Sequence, residues 1–424
     1  MKLPNMVACA VAAIALTTAA FTNAAEINII AHKVHQSVST GSTTGTTGGD
    51  VTADWQAKSG TINWITADVT PLHDRLLREM SLGAGNVSMA FLLNRFFSPK
   101  VFSLLTPLDA YVAANPIKDF DGLSKGMRAG ATFEGRLYGI PFRHATNALI
   151  YNAKMLKDAG FEGPPKTFVE LVDMAKKLHH TDKNGQKVFG LANHSGDSPT
   201  FIFNLMLASG KPLIDTDYTL NANTPEFINA LKMLKDLYVN GGVIDNYISS
   251  NLDGIIGDLQ KGRAAMTINP FGREAVLNDP KFSRFPGDFK VTSVPTGAGG
   301  VTPAQTEVWY LVIPKNAPQK ELAWSLIQTL SSPDATVRES LNGNGATRPA
   351  AYKDSRITSA IPTAADQARS VESARLMFPG FDQATRAQAI VTEEADAFLL
   401  GKLTAEQAAE NIQNRVKPLL PKGK

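Results

Sequence analysis

Cysteine is almost missing from this chain: Cys9 is the single one among 424 residues. It lies in a segment expected to be removed on export, and too early there to read as a lipid-attachment cysteine. A disulfide framework, a thiolate metal site and a cysteine nucleophile are therefore excluded together. An excess of one charge is missing too. Lys and Arg number 42 against 39 Asp and Glu, a formal +3. With no Arg/Lys-dense run and no recognition motif, this excludes nucleic acid as a partner. Strongly apolar long runs are also lacking. Val7 to Phe21 is uncharged, but short and Ala/Thr-rich beside the roughly 20 apolar residues that a membrane span needs.

Signatures of catalysis are equally thin. Neither a serine nucleophile elbow nor a phosphate-cradling loop is expected. Glu393 and Glu394 are helix neighbours that diverge, so they make no acid/base dyad. His32-x-x-His35 has metal-binding residue types but no third ligand at a recognisable spacing, and His179-His180 reads as a solvated helix end. No metal, no cofactor and no enzyme activity are expected.

What is present is an ordinary globular composition, 43% hydrophobic and 19% charged, on a chain too long for one core. Two lobes are the default. The N-terminus carries Lys2, then the apolar run, then Thr22, Ala24 and Ala25 ahead of Glu26. That is the order of a secretory signal cleaved after Ala24 or Ala25. An exported chain of this size without disulfides suits a bacterial periplasm.

Strand-like and helix-like segments then alternate. Strands are expected at 26–32, 61–67, 87–93, 187–192, 264–268, 289–295 and 306–314. Between them Leu72, Leu76, Leu77 and Met80 mark one helix face, and Phe227, Leu231, Leu234 and Tyr238 another. Thr167 with Glu170 reads as a capping box. Helices close the chain at 364–375, 384–399 and 404–415. Ser37 to Asp50, rich in Gly, Ser and Thr, reads as a flexible loop or as a polar ligand-facing edge. The pattern predicts an α/β protein of mostly parallel sheets flanked by helices. One stretch breaks it. In Glu134–Asn152, Gly139 and Pro141 interrupt a β-prone run, and Arg143-His144-Ala145-Thr146-Asn147 precedes a second one. A Gly-x-Pro interruption argues against a regular central strand and for a crossing between lobes.

Several spaced motifs coincide with this reading: the segment Leu104–Ala113, GRLYGIPFRHATNALIYNAKMLKDAGFEGPPKTFVELVDMAKKL (Gly135–Leu178), GRAAMTINPFG (Gly262–Gly272), WYLVIPKNAPQKELAWSLIQTLSSPD (Trp309–Asp334) and ATRPA (Ala346–Ala350). In this order, and over nearly all of the mature chain, they resemble the family 1 extracellular solute-binding proteins, receptors that feed carbohydrate ABC importers. The resemblance implies a two-lobe periplasmic binding protein fold of type II-like form, with the ligand cleft at the hinge. It implies lobe one at 26–138 and 295–331, and lobe two at 139–294 and 332–424, with crossings at Gly139–Pro141, near Val291–Pro295 and near Ser332-Pro333. It also implies a monomer that docks on membrane permease subunits. Two segments depart from the family pattern, Asn86-Val87-Ser88 and the Gly/Thr-rich stretch 40–49.

A sugar needs aromatic plates for its C–H faces and planar polar groups for its hydroxyls. The resemblance implies cleft roles for Trp309 and, after the TIN strand, Phe271; each also fits a place in the core. Arg143 and His144 follow the proposed hinge proline, Arg143 being able to grip vicinal hydroxyls, a carboxylate or a phosphate, or to form an inter-lobe ion pair. Arg273 and Arg348 carry the same ambiguity. Asn193, His194 and Asp197 end a strand of lobe two, and Asn94, His32 and Glu307 face the cleft from lobe one. The leading function is reception of a sugar or sugar derivative. Alternatives are an anionic cargo (an acidic sugar or sugar phosphate), favoured by Arg143, Arg273 and Arg348, and an exported hydrolase using a carboxylate such as Glu307.

Overall fold

The computed structural model of the chain describes residues 25–43, 46–196, 200–297 and 300–421. The signal expected at 1–25 lies, apart from Ala25, outside the described residues, as does Asp197. The strands are β1 (Ala25–Ala31), β2 (Gly60–Thr66), β3 (Met89–Leu93), β4 (Thr132–Phe133), β5 (Arg136–Leu137), β6 (Ile140–Asn152), β7 (His180–Thr181), β8 (Lys187–Leu191), β9 (Ala264–Pro270), β10 (Phe289–Thr292), β11 (Ala304–Val312) and β12 (Ala374–Leu376). The order β2-β1-β3-β11-β6-β9-β8-β7 makes one continuous path, with β12 beside β11 and β10 beside β6.

On either side of the middle the sheet is parallel, β2 with β1 with β3, and β8 with β9, the two-residue β7 adding antiparallel to β8 at the edge. Of these, β3 is apolar and buried at every position, as buried parallel strands are, whereas the edge strand β2 is partly exposed. In the middle it is antiparallel: β11 runs against β3 and β6, and β6 against β9 and β10. The expectation of mostly parallel sheets thus becomes a mixed sheet.

The reading of Glu134–Asn152 as a broken strand is corrected. From Ile140 onward it is a single 13-residue strand, and Pro141 lies inside it. Its partners, however, change along its length: Ile140 to Thr146 pair with β11, and Asn147 to Tyr151 pair with β9. The change of partner falls between Thr146 and Asn147. A bulge explains how a proline is tolerated. Trp309 pairs with Arg143 but Tyr310 with Pro141, which leaves Phe142 as the extra residue. Loss of a ladder position beside a residue that has no N–H to donate leaves no buried donor stranded.

Local signals hold at most helices. Thr167 and Glu170 form the capping box of the helix Phe168–Leu178, and Thr404 with Gln407 forms another. The helix expected at 364–375 ends at Glu372, and Ala374–Leu376 instead adds β12 to β11. The stretch 37–50 is also corrected. Its first residues belong to a helix, Lys33–Thr40, closed by Gly41 at φ 62°. Gly48 and Gly49 are then fastened to the helix Pro333–Leu341: Asn342 Oδ1 accepts from Gly48 N at 2.9 Å, and Arg338 Nε donates to Gly48 O at 2.8 Å. A Cβ on Gly48 would stand 1.8 Å from Arg338 O. The glycine here serves close backbone approach, not looseness.

Candidate functional site

At the end of β1 the chain turns at His32 into the helix Lys33–Thr40. His32 Nδ1 accepts from Val34 N at 3.2 Å, and His35 Nδ1 accepts from His32 N at 3.2 Å. The His-x-x-His pair is thus a capping box made of imidazoles. Among the described residues no three metal-ligating side chains converge. Because His35 Nδ1 accepts, the proton of the neutral ring sits on Nε2, which is buried without a hydrogen-bond partner. Burial first, then the Arg143 charge, holds the His35 imidazole well below its usual pKa. His32 is lowered for the same two reasons, against a smaller upward pull from Asp68.

Trp309 on β11 packs into this group. Its ring meets His35 edge-on at 4.5 Å between centroids and lies 5.4 Å from His73 and 6.4 Å from His32. His35 in turn stacks on Phe91 at 4.4 Å, and Phe142, the bulge residue, stands edge-on to both. Trp309 is 7% exposed, so most of its surface serves the core and only an edge remains for a ligand. His73 was absent from the sequence reading. Its Nδ1 donates to Val69 O at 2.6 Å and its Nε2 accepts from Leu93 N at 3.0 Å, which fixes the neutral tautomer. Burial pushes it down to about 3.

Arg143 lies opposite Trp309 in the ladder. The side chain is half-buried, with Nε buried and unpaired. Its guanidinium is pushed down to about 10, by desolvation and then by the nearby Arg273 charge. Further along the same edge Glu307 pairs with Arg95 at 3.3 Å, both about one-third exposed. Asn94 Oδ1 accepts from Val308 N at 2.8 Å. Asn94, Arg95 and Glu307 share a small pocket with Phe378, Pro379 and Gln388.

His144 points into a different environment. It is buried and belongs to a chain of hydrogen bonds with one consistent direction. Ala346 N donates to the Tyr352 hydroxyl (3.1 Å), Tyr352 donates to His144 Nε2 (3.0 Å), and His144 Nδ1 donates to Thr146 Oγ1 (2.7 Å). Thr146 then donates to Thr306 Oγ1 (2.8 Å). With Thr146 donating onward, a neutral His144 protonated on Nδ1 satisfies this chain, and burial drives it to about 3. The loop around ATRPA is stitched to the same strand: Asn344 Nδ2 donates to Phe142 O, and Thr347 Oγ1 to Pro141 O. Phe271 is buried edge-on to His144 at 5.5 Å, its backbone N donating to Thr146 O at 3.1 Å.

The remaining predicted residues do structural work here. Arg348 donates from Nε and both terminal nitrogens to Ser331 O, Lys118 O and Asp119. These five bonds match the five N–H groups of a guanidinium, leaving none for a ligand. Asn193 clamps β9, donating to Ile268 O and accepting from Ile268 N; His194 follows it, half-buried. The chain does contain Gly122-Leu123-Ser124-Lys125-Gly126, which has G-x-S-x-G spacing, against the expectation of no nucleophile elbow. Ser124 follows a 3-10 turn, not a strand, and caps the helix Lys125–Ala129 by accepting from Met127 N. So the site gathers His32, Arg143, Trp309, Glu307 and Asn94 on one edge, places His144 and Phe271 at the crossing, and leaves Asn193 and Arg348 as struts. Nothing local distinguishes Tyr352 or Thr306 as a relay residue from any other Tyr or Thr, and Thr146 is marked in the sequence only as part of the polar run after Pro141.

A family model described as bacterial extracellular solute-binding protein matches residues 46–337. The chain is 23% identical over 277 residues to a binding protein of Brucella abortus, the match spanning 65% of each chain. Among solved structures it is similar to the sugar-binding protein MalE of Xanthomonas citri, with a TM-score of 0.79, 19% identity and coverage of 93% of this chain and 97% of that one. It is also similar to maltose-bound MalE3 of Thermotoga maritima, with a TM-score of 0.76, 22% identity and coverage of 93% and 100%. At such identities the likeness is one of fold: two α/β lobes with a mixed sheet flanked by helices.

Proposed function

Because the chain belongs to the bacterial extracellular solute-binding proteins, we propose that it is a periplasmic receptor. It takes a sugar or sugar derivative between two lobes, closes by hinge bending, and delivers the solute to the permease subunits of an ABC importer. The observation that carries this reading is the change of partner along β6. One strand belongs to both halves of the sheet, and Arg143 and Trp309 stand beside the point of exchange. Small changes of backbone twist at Thr146–Asn147 would then open or shut the edge lined by His32, Asn94, Glu307 and Trp309. The boundary between lobes on β6 accordingly falls at 146/147. Similarity to sugar-binding proteins, one of them holding maltose, supports carbohydrate as the cargo. A binding role also fits Glu307, which faces Arg95 and not a second carboxylate.

Calorimetry of the mature, monomeric chain against maltose, other mono- and disaccharides and polyols tests the proposal. The expected result is saturable binding of at least one member, recovered chemically unchanged. Turnover of a glycoside, or no binding anywhere in the panel together with nothing co-purifying in native mass spectrometry, would overturn it.

A further inference from the structure

The charge inventory of the cleft edge does not close. On that edge Arg95 has Glu307. Arg143 has no such partner among the described residues, and its Nε is buried without a hydrogen bond. A neighbouring charge adds to the cost. Arg273 repels it, and the imidazoles of His32, His35 and His144 each feel its charge as a destabilising one. A half-buried guanidinium whose Nε is buried and unpaired is costly, and natural interiors supply a counter-charge or leave a place for one. Among the described residues of the edge none supplies it, Glu307 being paired with Arg95. A neutral sugar brings hydroxyl dipoles only, whereas a carboxylate or phosphate offers two coplanar acceptors to the planar fork of an arginine.

Resting on the receptor reading above, we infer that the solute carries an anionic group, a carboxylate or phosphate on a sugar-sized body. Arg143 grips that group, with Arg273 close by and the edge of Trp309 against the carbon skeleton. Arg273 is half-buried two residues after Phe271, which packs at the crossing. Closure would bring a group on the second half of the sheet, Arg273, and one on the shared strand, Arg143, to the same anion. The anion itself would therefore stabilise the closed form.

The test uses the mature chain in a phosphate-free buffer, with glucuronate and glucose 6-phosphate as probes, glucose as the neutral match and inorganic phosphate as the bare anion. One or both charged sugars should raise the melting temperature and bind with an affinity that falls as salt rises. Glucose and inorganic phosphate should each bind at least about tenfold more weakly. Arg143→Gln should raise the melting temperature of the unliganded protein, by removing an uncompensated charge, and weaken the charged sugar by about 10- to 100-fold. Arg143→Lys should recover part of the loss. Glucose binding as tightly as its charged analogues overturns the inference while leaving the receptor reading intact. So does an Arg143→Gln protein that melts lower but binds as before, for Arg143 would then be a strut. If inorganic phosphate alone accounts for the binding, the sugar body is dispensable and the inference also falls. Silence of all four probes overturns the anionic assignment, and the receptor reading is then judged separately by its neutral panel.

Discussion

His144 shows how one side chain ties acid stability to the crossing. Its two ring nitrogens sit mid-way in a relay from Ala346 to Thr306 that a neutral ring satisfies. His73 is held neutral by two backbone partners. Both have folded values of about 3, below the roughly 6.5 of an unfolded histidine. As pH falls below 6.5 the unfolded chain takes up these protons first, so stability is full above that value and is lost as pH falls towards 3. Each histidine contributes up to about 1.4 kcal/mol per pH unit in that window. Urea melts between pH 7.5 and 5 should show a falling unfolding free energy. His144→Gln, which cannot take up the proton, should be less stable at pH 7.5 and show a shallower fall. An unchanged slope would mean the relay does not decide the protonation state.

Among the elements, the loop 344–352 and β6 depend on each other. The bulge at Phe142 leaves the carbonyls of Pro141 and Phe142 free to accept from Thr347 and Asn344. Gly345 lets the loop come close enough, since a Cβ there would lie 2.3 Å from His144 O. Gly345→Ala should therefore lift the loop off the strand, breaking the Tyr352–His144 bond as well. The expected cost is about 2 to 4 kcal/mol, the range for a buried clash with lost hydrogen bonds, read as a lower denaturation midpoint. A variant as stable as the parent would show that the loop can find another seat.

Over the whole molecule, two half-sheets share β6, and the small pocket beside Asn94, Arg95 and Glu307 is walled on its far side by Phe378, Pro379 and Gln388. A solute held between the halves binds the folded chain and not the unfolded one. It should stabilise by about 2.7 kcal/mol at a hundredfold excess over Kd. Small-angle scattering should report a smaller radius of gyration with ligand than without. Stabilisation with no compaction would argue for a site on one half alone.

Much of this was legible in the chain itself. Strands with near-continuous apolar runs, Thr-x-x-Glu and Thr-x-x-Gln caps, and glycine stops are settled by contacts within a few residues, so β1, β3 and the helices Phe168–Leu178 and Ala405–Val416 follow from local sequence. The order of the motifs also settled the family. Composition alone, with its single cysteine, excluded a disulfide within the chain. Tertiary structure decided the rest. Whether Pro141 breaks a strand depends on a bulge opposite Trp309, 168 positions away along the numbering. Whether Arg143 or Arg348 is available to a ligand depends on carbonyls and carboxylates distant in sequence: Arg348 meets Asp119, Lys118 and Ser331, while Arg143 meets no acid among the described residues. Propensity is a local property, whereas the pairing of a buried charge is fixed only when remote segments pack around it.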